Sequence, residues 1–137
     1  MAGYSGTPLL QKLGIKDGQR VVLRRAPADL PEELSPYARV RLKNDLDVVL
    51  LFSKSLADFK SEFANQARAI KPDGTIWVAW PKKSSGVATD LTENAIRDLA
   101  LKTPFVDVKV CAINDTWSGL KLVVRKESRT AFAAGTA

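Results

Sequence analysis

Between Asp45 and Lys83 the chain reads as an apolar strand, an amphipathic helix, a turn and a second apolar strand, an order that few folds accommodate. Leu46 to Phe52 is rich in large and β-branched side chains, lacks polar alternation and is too short for a buried helix. It is expected to be a strand covered on both faces, as in a parallel sheet. Ser55 can then cap a helix whose apolar positions Leu56, Phe59, Phe63, Ala67 and Ile70 recur at intervals of three and four. Asp58, Lys60, Glu62, Asn65 and Arg68 are left to water. Lys71 suits the last turn of that helix. Pro72-Asp73-Gly74 is expected to end it, the glycine supplying a positive φ, and Thr75 to Trp80 is expected to be the next strand. Short strands joined through a helix pair in parallel by a right-handed crossover.

The flanking sequence extends this unit. After a small leader, Met1 to Gly6, the stretch Thr7 to Gly14 has a capping threonine, a proline and a closing glycine, the marks of a short helix. Gln19 to Arg25 is the first strand. Pro27, Pro31 and Pro36 restrict the next segment to a short helix near Pro31 to Leu34, and Tyr37 to Lys43 alternates apolar and basic residues, as an edge strand or an extended linker would. Lys82 to Asp90 is a loop, and Thr92 caps a helix that ends by Lys102. Val106 to Ile113 and Leu120 to Arg125 form a hairpin around an Asn114 to Gly119 loop. In the first of these strands Val106, Val108, Val110 and Ala112 are expected to share a face. The expected fold is therefore α/β: three layers, with a mostly parallel sheet of about five strands in the order 1-2-3-5-4, the last antiparallel. Residues 1–126 make one domain, and 127–137, which lack periodicity, a disordered tail.

Composition narrows the function classes. The 137 residues include one cysteine, Cys111, so no disulfide framework forms within the chain, and a cytoplasmic location is the expectation. No apolar run reaches membrane-spanning length. The sequence holds no histidine, which removes the commonest general base and the usual metal ligand. Asp90, Glu93 and Asp115 are the remaining candidate bases, and each has an ordinary structural use near a helix start or in a turn. No catalytic residue, metal or cofactor is assigned. The formal charge of +6 and an isoelectric point of about 9.6 favour anionic partners.

In an open parallel sheet, ligands sit beyond the carboxyl ends of the strands. Those ends collect Arg24, Arg25, Ser53, Lys54, Ser55, Lys82 and Lys83, with Trp117 in a neighbouring loop. The helix starting near Leu56 points its N-terminus at the same rim, where backbone N–H groups favour an anion. The expected function is a non-catalytic binding or regulatory module for an acidic protein or anionic ligand. A nucleic-acid binder is the alternative, and a degenerate S-adenosylmethionine-dependent methyltransferase-like protein the third reading. The apolar first strand, short of neighbours, also suggests a homodimer formed through its outer edge.

Two resemblances accompany this reading. The order of Gly14 to Val21, Leu46 to Val49, Ala69 to Gly74, and a closing helix and hairpin resembles the frame of Rossmann-like S-adenosylmethionine-dependent methyltransferases. Where that family has a glycine-rich cofactor turn, this chain has Leu23-Arg24-Arg25-Ala26-Pro27, so the resemblance implies the fold rather than cofactor binding. Gly3 to Leu9, Trp80-Pro81-Lys82-Lys83, Thr89 to Thr92, Val108 to Ile113 and Thr116 to Lys121 resemble a family of small bacterial proteins of unknown function. That likeness implies a bacterial cytosolic origin and no particular activity.

Overall fold

Five strands build one mixed sheet in the computed structural model, which describes residues 8–134. They are β1 (Val21–Arg24), β2 (Leu46–Phe52), β3 (Ile70–Pro81), β4 (Phe105–Ala112) and β5 (Trp117–Val124), arranged β1-β2-β3-β5-β4, with β2 and the second half of β3 buried on both faces. β1, β2 and β3 are parallel, and β5 runs antiparallel to both β3 and β4. The strand order and the single reversed strand are those expected from the sequence.

Because successive strand side chains point to opposite faces, the two sides of the sheet bury separate clusters. Val22, Val49, Leu51, Ile76, Val78 and Leu120 pack beneath α2 (Leu56–Ala67) and α3 (Glu93–Leu101) through Phe59, Phe63, Ile96 and Ala100. Val21, Leu23, Val48, Leu50, Phe52 and Trp77 pack on the other face against Leu9 and Leu13 of α1 (Leu9–Leu13), and against Leu34 from a 3-10 turn over Glu32–Tyr37. Three layers result, one of them thin. Ser55 caps α2 by accepting from Asp58 N, and Thr92 caps α3 by accepting from Ala95 N. Gly14 closes α1 in the left-handed conformation, at φ 73°. The expected leader and the expected cap Thr7 lie outside the described residues.

Several boundaries differ from expectation, each for a local reason. α2 stops at Ala67 and β3 already begins at Ile70, because Leu46 N donates to the Ala69 carbonyl and draws the chain into the sheet. Lys71-Pro72-Asp73-Gly74 is consequently not a turn but a bulge: between the pairs Leu46/Ile70 and Val48/Thr75, four residues of β3 stand against one of β2. Gly74 is absent from the positive-φ residues; it is required because a Cβ there would lie 2.9 Å from the Leu46 carbonyl oxygen. A second bulge, between Asp107 and Lys109, breaks the expected common face of β4, so that Val106 pairs with Val123 and Val110 with Leu120 on opposite sides. β5 starts at Trp117 and takes part of the expected hairpin loop into the sheet. In place of a tail from Glu127, a 3-10 turn (Lys126–Ser128) leads into α4 (Arg129–Ala133), whose Phe132 ring sits 5.7 Å from Phe105. An aromatic in that otherwise polar stretch finds a place on the α2 side of the core.

Residues 38–43 form no strand. Leu30, Leu34 and Tyr37 pack on the α1 side of the sheet, whereas Val40 and Leu42 pack on the α2 side. The segment therefore passes from one face to the other beside β1, held by Arg24 and Arg20 side chains that donate to the Leu42 and Asn44 carbonyls. Val40 and Leu42 thereby add partly buried apolar contacts to the α2 side of the core.

Asp47 knits the start of the sheet. Its carboxylate accepts from Arg20 N at 2.7 Å and from Lys71 Nζ at 3.0 Å, across the bulge. Burial, the largest single influence, raises its pKa, but the Arg20 N–H and the Lys71 ammonium together outweigh it and hold the carboxyl below the ordinary 3.8. A depressed folded value gives stability that is complete above the unfolded pKa and is lost as pH falls through the folded one. Asp47→Asn is expected to cost about 1 kcal/mol near neutrality. Urea titrations should show the gap to the parent protein constant from about pH 7 to 5 and closing below about pH 4.

Candidate functional site

Parallel strands release their chains at one edge, and here β1 and β2 end where the reversed β5 begins. A cleft of about 550 Å³ opens among Arg25, Asp29, Phe52, Ser53, Lys54, Asp58 and Trp117. Arg25 follows β1 in the left-handed conformation (φ 57°), which costs a non-glycine residue about 1–2 kcal/mol. The turn thus keeps a backbone shape suited to glycine without having one. Phe52 and Trp117 meet edge to face at 5.1 Å and form the apolar wall. The Trp117 indole N–H donates to Asp29 Oδ1 at 3.1 Å, tying the segment after β1 to a strand 88 residues later. Asn114 secures the same junction: its Oδ1 accepts from Thr116 N and Trp117 N, and its Nδ2 donates to the Asp29 carbonyl.

The charges in the cleft are mixed rather than uniformly basic. Arg25 Nη1 lies 3.4 Å from Asp58 Oδ2, both side chains half-exposed. Asp29 faces the Trp117 and Asn114 donors. Lys54 is exposed, with no side-chain partner among the described residues. Ser53 is buried and turned to its own loop, donating to the Ser55 carbonyl.

Of the rim residues expected from the sequence, Arg25, Ser53, Lys54 and Trp117 come together. The others do not. Arg24 bends back over α2, where Nε donates to Gln66 Oε1 at 3.0 Å. Ser55 is used as the α2 cap. Lys83 lines a separate depression of about 470 Å³ beside Trp80, Leu91 and Glu93, and Lys82 lines neither. Trp117, expected on a loop and available for contact, is 3% exposed and belongs to β5. The α2 N-terminus already holds an anion, since Leu56 N donates to Asp90 Oδ1 at 2.7 Å. Asp90 is thereby accounted for structurally, as is Glu93 by its ion pair with Arg97. Cys111 is half-buried, and burial pushes its thiol pKa up. Among the described residues no three His, Cys, Asp or Glu side chains gather as metal ligands, and no helix is long and apolar enough to cross a membrane.

Sequence reasoning missed the acidic half of the site. Asp58 had a local signal, because Ser55 and Asp58 have the spacing of a capping box. Asp29 had none: its partner Trp117 lies 88 residues away.

The fold is similar to that of a putative type 11 methyltransferase from Sulfolobus solfataricus, with a TM-score of 0.57 and 14% identity over 86% of this chain and 90% of that one. Looser likenesses are to the fibrillarin pre-rRNA processing protein of Methanococcus jannaschii (TM-score 0.45, 15% identity, 77% of this chain and 56% of that one) and to a Streptococcus agalactiae protein in the NADB-Rossmann superfamily (0.47, 10%, 98% and 76%). At these identities the likeness establishes an α/β, methyltransferase-like fold and nothing of activity. No protein-family model and no curated protein matches the chain.

Proposed function

We propose that this methyltransferase-like frame serves as a non-catalytic binding domain whose carboxyl-edge cleft takes a small anionic ligand. The observation that carries the reading is the 550 Å³ cleft in which Lys54 stands without a partner among the described residues, beside the half-exposed Arg25. A phosphate or carboxylate can displace Asp58 from Arg25 and bridge to Lys54, while an apolar portion lies against Pro27, Ala28 and Val87, which line the same cleft. The sequence holds no histidine, and among the described residues no cluster of metal ligands adjoins the cleft.

Calorimetric titration with inorganic phosphate, adenosine monophosphate and S-adenosylmethionine tests this. Phosphate and the nucleotide should bind, and Arg25→Gln with Lys54→Gln should weaken both at least about tenfold while leaving the unfolding temperature nearly unchanged, since exposed ion pairs contribute little to folding. Unchanged affinity in the double variant would remove the cleft as the binding site. Heat from S-adenosylmethionine alone would favour the degenerate methyltransferase reading. A steep loss of affinity for random DNA with rising salt would favour the nucleic-acid reading.

A further inference from the structure

Away from the cleft, β4 pairs among the described residues with β5 alone and ends the sheet. The large hydrophobic side chains exposed among the described residues are Leu101, Val108 and Val110, at 42%, 53% and 45%. Two lie on β4, and the third ends the helix that leads into it. Within the ladder Lys109 stands directly opposite Lys121. Like charges so placed destabilise a sheet, and neither lysine has a carboxylate partner among the described residues. Lys12 of α1 adds a third cation at the same end of the strand, donating to the Ala112 carbonyl at 3.2 Å. Asp107, the one acid on β4, is bonded to Arg97 at 2.9 Å. Desolvation, then Lys109, holds the pKa of Lys121 down, as expected of a cation lacking a counter-charge.

We infer that the outer edge of β4 is a docking site for an extended acidic segment of another protein, which joins the sheet as a further strand with its carboxylates against Lys109 and Lys121. An edge strand offers a row of unpaired backbone donors and acceptors, the feature that strand addition uses. Lys109 and Val110 occupy opposite faces, so the segment that fits alternates acidic and apolar side chains. The bulge divides β4 into Phe105–Asp107 and Lys109–Ala112, and Lys12 already occupies the Ala112 carbonyl, so the docked stretch, the one that carries Lys109, is short. Charge decides among occupants. A second copy paired about a two-fold axis would set both Lys109–Lys121 pairs on one face, repelling each other. Nucleic acid would find valines rather than exposed aromatics beside the lysines.

The test uses the intact chain and a synthetic peptide, acetyl-Glu-Val-Glu-Val-Glu-Val-amide, followed by amide shifts in heteronuclear NMR. The peptide should shift Lys109–Ala112 and their β5 neighbours. Lys109→Glu and Lys121→Gln, each confirmed as folded by its own spectrum, should weaken it about tenfold. The matching lysine-valine peptide should not bind. Arg25→Gln with Lys54→Gln should leave peptide affinity unchanged, which separates this surface from the cleft. Absence of shifts at millimolar peptide, shifts elsewhere, or affinity indifferent to the lysine substitutions would overturn the inference. So would displacement of the peptide from β4 by an oligodeoxynucleotide, or a sedimentation mass of two chains that Val108→Glu returns to one.

Discussion

Replacing Trp77 by alanine is expected to lower the unfolding temperature by roughly 10–20 °C, corresponding to about 3–5 kcal/mol. Trp77 is fully buried in β3, the middle strand of the sheet, on the face covered by α1. Its loss removes apolar contacts and leaves a cavity that neighbouring strands cannot close. The indole also donates through Nε1 to the Leu13 carbonyl at 2.9 Å, satisfying one of the acceptors that a helix leaves at its C-terminal end. Trp77→Phe separates the two contributions, since it keeps most of the volume and leaves that carbonyl unpaired, at about 1–2 kcal/mol. Thermal unfolding followed by circular dichroism checks both. A shift under about 5 °C for the alanine variant would mean that α1 does not depend on Trp77 for its seat.

Gly74→Ala is expected to have the second largest effect, about 2–3 kcal/mol, although it adds one methyl group to a residue with ordinary φ. The new Cβ would meet the carbonyl oxygens of Leu46 and Lys71 at 2.9 and 3.0 Å, and Ile70 Cβ at 3.2 Å. Two of these are backbone atoms in the ladder, so relief requires the bulge to open. Gly14→Ala gives the contrast: nothing lies within 4 Å of its Cβ, and the cost arises from φ 73° alone, about 1 kcal/mol. Chemical denaturation of the two variants distinguishes crowding from conformation. If Gly14→Ala is the more damaging, the bulge is looser than its geometry indicates.

The contrast between these glycines shows which parts of the fold were legible in the sequence. Gly14 follows an apolar helical stripe, and its role could be read locally. Gly74 follows proline and aspartate, a combination that reads as a turn, because the carbonyl that demands a glycine belongs to Leu46, far back in the chain. Strand order was legible for a similar reason: Leu46 to Phe52 and Thr75 to Trp80 carry burial on both faces in their composition, and the helix between them sets a parallel crossover. The cleft was only half legible. Its edge followed from topology and its cations from inspection, but exposure is a property of packing. Trp117 looked like a loop residue until Phe52 and Asp29 enclosed it, and Arg24 looked like a rim residue until Gln66 offered it a partner over α2.

The segment that passes around β1 bears on stoichiometry. A sheet that grows by adding copies of itself needs two receptive borders, one to accept a strand and one to be accepted. Here residues 38–43 run beside one border, while among the described residues β4 has no strand on its outer side. On the docking inferred above, association through the sheet is terminating: β4 takes up one partner strand, and the opposite border has residues 38–43 beside it.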